Sequence, residues 1–231
     1  RFGACLMAEP QMVADCCSAM IEASDLPVTV KCRIGIDDMD VMEGLNQFVD
    51  AQAEAGVKII YLHARKAWLN GLSPKENREV PPLDYGRAGK LAADYPDLDI
   101  ILNGGLETLE DIQSAAAAGL FSGVMIGRSA YKTPRQLGTI SSALFGHDMR
   151  PLLDIAQQMS DYAEKEIEKG VRLHNITRHM LGLFTGLRGA RTWRRTLGEQ
   201  ARDNPEAAAL IAQTAQTCLA LQDKNSNRKV A

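Results

Sequence analysis

The chain has 231 residues and a formal net charge of −3, with 45% hydrophobic and 24% charged residues, the profile of an ordinary globular protein of one large or two modest domains. No apolar run approaches the ~20 residues of a membrane-spanning helix, no signal peptide is visible, and the near-neutral charge confines any nucleic-acid surface to a local patch. Cys5, Cys16, Cys17, Cys32 and Cys218 are odd in number and form no CxxC pair, which argues against a disulfide framework or a structural metal and for reduced thiols in the cytoplasm.

The first residues, RFGACLM, read as a loop feeding a helix and contain no initiator Met, so the chain is expected to begin part-way through a larger protein. Residues 12–24 place Val13, Cys17, Met20 and Ile21 at helical spacing. Residues 28–34, VTVKCRI, alternate as a strand, which puts Lys31 and Arg33 on one face. Two cations leaving a strand end together suit an anionic or electron-rich ligand, or else a solvated edge. Residues 39–55 form an amphipathic helix stopped by Gly56. Ile59-Ile60-Tyr61-Leu62 is a buried strand ending at His63-Ala64-Arg65, again with two polar side chains two apart.

Residues 66–84, KAWLNGLSPKENREVPPLD, form a long irregular segment, a kind that is functional or disordered in a compact domain. Lys75 and Arg78 in it are placed to face a polyanion. A helix over 86–95 leads back to the apolar run Ile100-Ile101-Leu102, which ends at Asn103-Gly104-Gly105. Thr108, with Glu110 and Asp111 in the first turn, opens a helix that Gly119 closes, and a second apolar run over 123–126 ends at Gly127-Arg128. Both glycine turns sit at carboxyl ends of strands, where parallel α/β folds bind ligands. Glycine lets backbone N–H groups approach a phosphate and arginine forks onto its oxygens, so these two turns read as a phosphate site.

Strand and helix thus alternate four times, with strands near 28–34, 59–63, 100–103 and 123–127. No GxGxxG fingerprint is present, and a phosphate site after the last two strands fits a TIM (β/α)8 barrel better than a doubly wound sheet. The expected fold is a partial TIM barrel of about four C-terminal strands over 1–134, an all-α domain over 150–223 and a polar tail over 224–231. In the helical part, residues 152–169, 172–184 and 206–221 read as helices. Between them, Arg188, Arg191, Arg194 and Arg195 cluster around Trp193, either as an RNA surface or as a solvated helix face with acidic partners such as Glu199.

The segments RFGACLM, VKCRIGIDD, LHARKAWLNGLSPKENREVPPLDY, GVMIGRSAY and RHMLGLFTGLRGARTWRR, with the NGG turn, resemble the tRNA-dihydrouridine synthase family, its A-type branch in particular. The resemblance implies a flavin TIM barrel followed by a helical RNA-binding domain. It implies that NADPH-reduced FMN saturates the C5–C6 bond of uridines in the tRNA D loop, at position 20 and its neighbour. By motif, Lys31 and His63 would contact FMN, Asn103, Gly104, Gly105, Gly127 and Arg128 would hold its phosphate, and Lys75, Arg78, Arg191 and Arg194 would touch tRNA. The family's proton donor is a cysteine in an Asn-x-Gly-Cys-Pro motif that this sequence lacks, expected upstream of Arg1. The expectation is therefore a parent enzyme that is cytoplasmic, metal-free and monomeric, with this chain alone inactive. A small-molecule flavin oxidoreductase resembling dihydroorotate dehydrogenase, or a non-catalytic RNA-binding fragment, are the alternatives.

Overall fold

A computed structural model describes residues 2–226; Arg1 and residues 227–231 of the expected polar tail lie outside the described residues. The chain divides into two compact units, Arg1–Gly127 and Arg128–Ala231. Among the described residues no helix is long and apolar enough to cross a membrane.

The first unit is built on four parallel strands, β1 Thr29–Arg33, β2 Ile59–His63, β3 Asp99–Asn103 and β4 Gly123–Met125, ordered β1-β2-β3-β4. Helices α1 Pro10–Ala23, α2 Glu43–Glu54, α3 Tyr85–Asp94 and α4 Leu109–Ala117 precede or join them. A doubly wound sheet reverses its strand order; this order follows the sequence without reversal, which is consistent with part of a (β/α)8 barrel. Val30, Cys32, Ile60, Leu62, Ile100 and Leu102 alternate onto one face and are buried with Leu45 and Phe48 of α2 and Ala88 and Leu91 of α3. That apolar face is what fixes the register, since a one-residue slip would turn it outward.

Local chemistry sets the helix ends. Thr108 and Asp111 make a capping box at the start of α4: the Thr108 side chain accepts from the Asp111 N–H at 3.1 Å, and the Asp111 carboxylate accepts from the Thr108 N–H at 2.8 Å. The α2 helix begins at Glu43, later than periodicity suggests, because the Asp40 carboxylate takes the N–H groups of Met42 and Glu43 at 2.7 and 2.8 Å and holds 39–42 in a turn.

Every described element of the second unit is helical: α5 Arg128–Lys132, α6 Arg135–Phe145, α7 Leu152–Glu168, α8 Leu173–Thr177, α9 Ala190–Arg195, the π turn Thr196–Gln200, α10 Ala201–Asp203 and α11 Leu210–Ser226. The continuous helix expected over 172–184 is not formed. Past Thr177 the chain proceeds by i to i−3 bonds, from Met180 N to the Thr177 carbonyl at 2.9 Å and from Leu183 N to the Met180 carbonyl at 3.0 Å. Two contacts account for it. The Trp193 indole N–H takes the Met180 carbonyl at 2.8 Å, and Gly182 lies so close to the Lys132 carbonyl that no Cβ fits between them. The last helix starts at Leu210 rather than 206, because Pro205 and Ala208 give their carbonyls to Leu173 N (3.0 Å) and Ser160 Oγ (2.8 Å).

Candidate functional site

Register places the polar candidates in rows. Arg33, His63, Asn103 and Met125 are partners across the four strands, each the last residue of its strand, and Lys31, Tyr61, Ile101 and Gly123 form the row beneath. Neighbouring residues in a parallel register point to the same face, so both rows lie on the face opposite the apolar core. Lys31, His63 and Asn103, separated by as many as 72 positions in sequence, therefore share one face of one sheet.

Charge on that face is of one sign near β1. Burial, then Arg33, pushes the Lys31 ammonium below the usual lysine value. Burial, then Arg65 and Arg78, does the same to the Arg33 guanidinium. Among the described residues no carboxylate lies within ion-pair distance of Lys31. Such a row favours an anionic, hydrogen-bonding group.

Arg33 and Arg65 both donate to the loop after β2. Arg33 Nη1 donates to the carbonyls of Lys66 and Asn77 at 3.2 and 2.9 Å, so it anchors the loop after β2. Arg65 Nη1 donates to the carbonyls of Pro81 and, at 3.4 Å, Glu79, while its Nε is buried without a hydrogen-bond partner among the described residues. The segment 66–84 is the irregular loop the sequence suggests, broken by the short turn Glu76–Arg78, and these bonds tie it to the ends of β1 and β2. The ladder of β1 and β2 runs on into it through an isolated bridge between Ile36 and Ala67.

The first glycine turn is shaped by its neighbours. Gly104 and Gly105 have φ of +110° and +70°, a region that penalises side-chained residues. A Cβ on Gly104 would stand 2.6 Å from His63 Cδ2, and one on Gly105 would stand 2.5 Å from Leu83 Cδ1. The Tyr85 hydroxyl donates to the Gly104 carbonyl at 2.6 Å. Asn103 spends its Nδ2 on the Met125 carbonyl at 2.7 Å, tying the end of β3 to the end of β4. The second turn is different: a Cβ on Gly127 would meet nothing within 4 Å. Gly127 closes the first unit and Arg128 opens the second as the first residue of α5.

Lys75 and Arg78 are exposed at either end of the short helical turn Glu76–Arg78 in the 66–84 loop. In the second unit Arg191, Arg194 and Arg195 are exposed on one face of α9, and among the described residues no carboxylate lies within ion-pair distance of them. Trp193 does not join that surface. It is fully buried on the opposite face, 4.6 Å from the Phe184 ring between centroids, and its indole N–H is consumed by Met180. Sequence reading missed Asn77, Tyr85 and Asp37, all of which hold backbone groups; the only local signal was that Asn and Asp in loops tend to do so.

A sequence model described as dihydrouridine synthase (Dus) matches residues 1–220. The chain is 48% identical over 227 residues to a protein of Shewanella oneidensis named tRNA-dihydrouridine(20/20a) synthase, covering 96% of this chain and 67% of that one. Proteins of the same name from Vibrio parahaemolyticus and Salmonella typhimurium are 52% and 46% identical, with 87% and 92% of this chain and 62% and 64% of theirs covered. The chain thus spans 62 to 67% of the length of these relatives.

Proposed function

The chain belongs to the dihydrouridine synthase family, and on that premise we propose that it is the FMN-binding and tRNA-binding portion of an enzyme that reduces uridines of the tRNA D loop, at position 20 and its neighbour, with NADPH as reductant. The observation that carries this reading is that Lys31, His63 and Asn103 share one face of the sheet, in two adjacent rows, beside two glycine turns at strand carboxyl ends. When bound there, FMN reduced by NADPH would supply the hydride for the C5–C6 double bond of the pyrimidine. Lys31, a cation with no carboxylate partner among the described residues, binds and steadies negative charge on the cofactor. His63, 9% exposed and packed against Gly104, presents its ring from the adjacent strand end. The backbone N–H groups of Gly104, Gly105 and Gly127, with Arg128, hold the phosphate.

Saturating the ring also needs a proton delivered by a positioned acid. The Asn-x-Gly-Cys-Pro cysteine that the family resemblance assigns to that step is not in this sequence, and no residue of the chain is given its role. Lys75, Arg78, Arg191 and Arg194 contact the tRNA backbone, and the exposed arginine face of α9 favours an RNA substrate over a small molecule. The sheet is read as part of a (β/α)8 barrel, and the intact protein as a cytoplasmic monomer. The test is flavin content: the intact protein carrying these residues purifies with bound FMN, and Lys31→Ala lowers the occupancy. Full occupancy in the variant would remove Lys31 from the cofactor site.

A further inference from the structure

Asn77 uses every polar group it has. Its Oδ1 accepts from Trp68 N–H at 2.7 Å, and its Nδ2 donates to the carbonyls of Trp68 and Leu72 at 2.7 and 3.2 Å. Its backbone N–H donates to the Ser73 carbonyl at 2.9 Å, and its carbonyl accepts from Arg33 Nη1 at 2.9 Å. The side-chain amide thus pairs with both backbone groups of Trp68 as a strand neighbour would, closing 68–77 into a ring, while Arg33 ties that ring to the end of β1. The opposite limb is pinned separately, where Leu69 N–H donates to the Asp37 carboxylate at 2.7 Å. Within the ring the Glu76 carboxylate accepts from Ser73 N–H at 2.8 Å, and hydrogen bonds from Ser73 hold it below the usual range. Its charge is therefore directed back into the loop.

Asn77 is half-buried, with exposed Lys75 two residues before it and exposed Arg78 immediately after. We propose that Asn77 is the positioning residue that presents Lys75 and Arg78 to the tRNA backbone, by fixing the turn that carries both. The proposal rests on the reading of those two cations as tRNA contacts. The physical basis is preorganisation. A loop ordered when the protein folds has little freedom left to lose on binding, whereas two long cationic side chains on a mobile loop must be ordered at the moment of contact.

The test is a double-mutant cycle in the intact protein carrying these residues, comparing Asn77→Ala, the pair Lys75→Ala with Arg78→Ala, and all three together. Two quantities are read: the dissociation constant for unmodified tRNA at several salt concentrations in every protein, and the rate of tryptic cleavage after Lys75 and Arg78 in the proteins that keep those residues. Asn77→Ala is expected to raise both by about tenfold, on the order of losing one to two phosphate contacts, and to lower the salt slope. Added to the Lys75/Arg78 pair it should change the affinity no further. Should Asn77→Ala fail to fold, the cycle is run with Asn77→Asp, which keeps the acceptor for Trp68 N–H and loses both Nδ2 bonds. An unchanged tRNA affinity in the Asn77 variant, with the Lys75/Arg78 pair impaired, overturns the positioning role and leaves the contacts standing. An equal loss in both backgrounds overturns it too, since Asn77 would then act elsewhere. An unimpaired Lys75/Arg78 pair overturns the tRNA contacts and the proposal with them.

Discussion

Asn103 donates from Nδ2 to the Met125 carbonyl at 2.7 Å, so its side chain ties the ends of two strands together. It sets the spacing of the two glycine turns that follow. Asn103→Ala leaves the Met125 carbonyl without this donor, at a cost of about 1–3 kcal/mol in stability. Asn103→Asp is expected to be worse, because a carboxylate then faces a carbonyl. Denaturant titration with parallel flavin measurement checks both. Unchanged stability in Asn103→Ala would mean that the tie is dispensable.

The two glycine turns should respond oppositely to alanine. At Gly104 a methyl group meets the His63 ring and a φ of +110°, and the expected loss is roughly 2–4 kcal/mol from overpacking and backbone strain. At Gly127 the space is open, so Gly127→Ala should stay within about 0.5 kcal/mol of the parent in stability. Weaker FMN binding in Gly127→Ala at full stability then reports direct approach of a phosphate to this backbone. Full FMN affinity in that variant removes Gly127 from the site.

Arg128→Ala should weaken FMN binding by about 1.5–3 kcal/mol, the range for a hydrogen bond to a charged group. Flavin fluorescence titration of the purified variant gives the dissociation constant, and no change would exclude Arg128 from the phosphate.

On α9 two substitutions should separate binding from folding. Arg191→Ala with Arg194→Ala lowers tRNA affinity and flattens its salt dependence by about one unit of slope per lost phosphate contact, with flavin content intact. Trp193→Ala instead removes a fully buried ring and should destabilise by about 3–5 kcal/mol. A double arginine variant that binds tRNA normally at every salt concentration would make the arginine face merely solvated.

Lys31 predicts a pH dependence. Its folded value lies below that of the unfolded chain, so protonation opposes folding. The contribution of this group to stability rises as pH climbs from the folded value to the unfolded one. Anion binding runs the other way and should weaken as the ammonium deprotonates, at a pH below the ordinary lysine range. Lys31→Arg stays charged and should remove that alkaline fall in flavin affinity. Identical pH profiles for the two proteins would show that Lys31 carries no charge to the ligand.

The alternation of strands and helices was legible because β-branched runs, glycine stops and the Thr108 cap are local signals. The ordering of 66–84 was not, because its anchors reach across the chain: Arg33 to Asn77 spans 44 positions and Asp37 to Leu69 spans 32. For the same reason the anchoring of this loop by Arg33 was not legible, since its Nη1 reaches carbonyls 33 and 44 positions away. The break after Thr177 had no local cause, since it depends on the Trp193 indole and the Lys132 backbone reaching the same segment. The burial of Trp193 was readable in principle. Arg191, Arg194 and Arg195 are three and four apart on one helical face, which leaves Trp193 on the other.

Dihydrouridine formation tests the account most directly. The intact protein carrying these residues, given FMN, NADPH and unmodified tRNA, is predicted to place dihydrouridine at position 20 and its neighbour, as read by mass spectrometry of tRNA fragments. The 231-residue chain alone is predicted to form none, because no residue in it is assigned as the proton donor. Unmodified uridines at both positions after reaction with the intact protein would contradict the proposed function. Product from the 231-residue chain would instead show that one of its own residues delivers the proton.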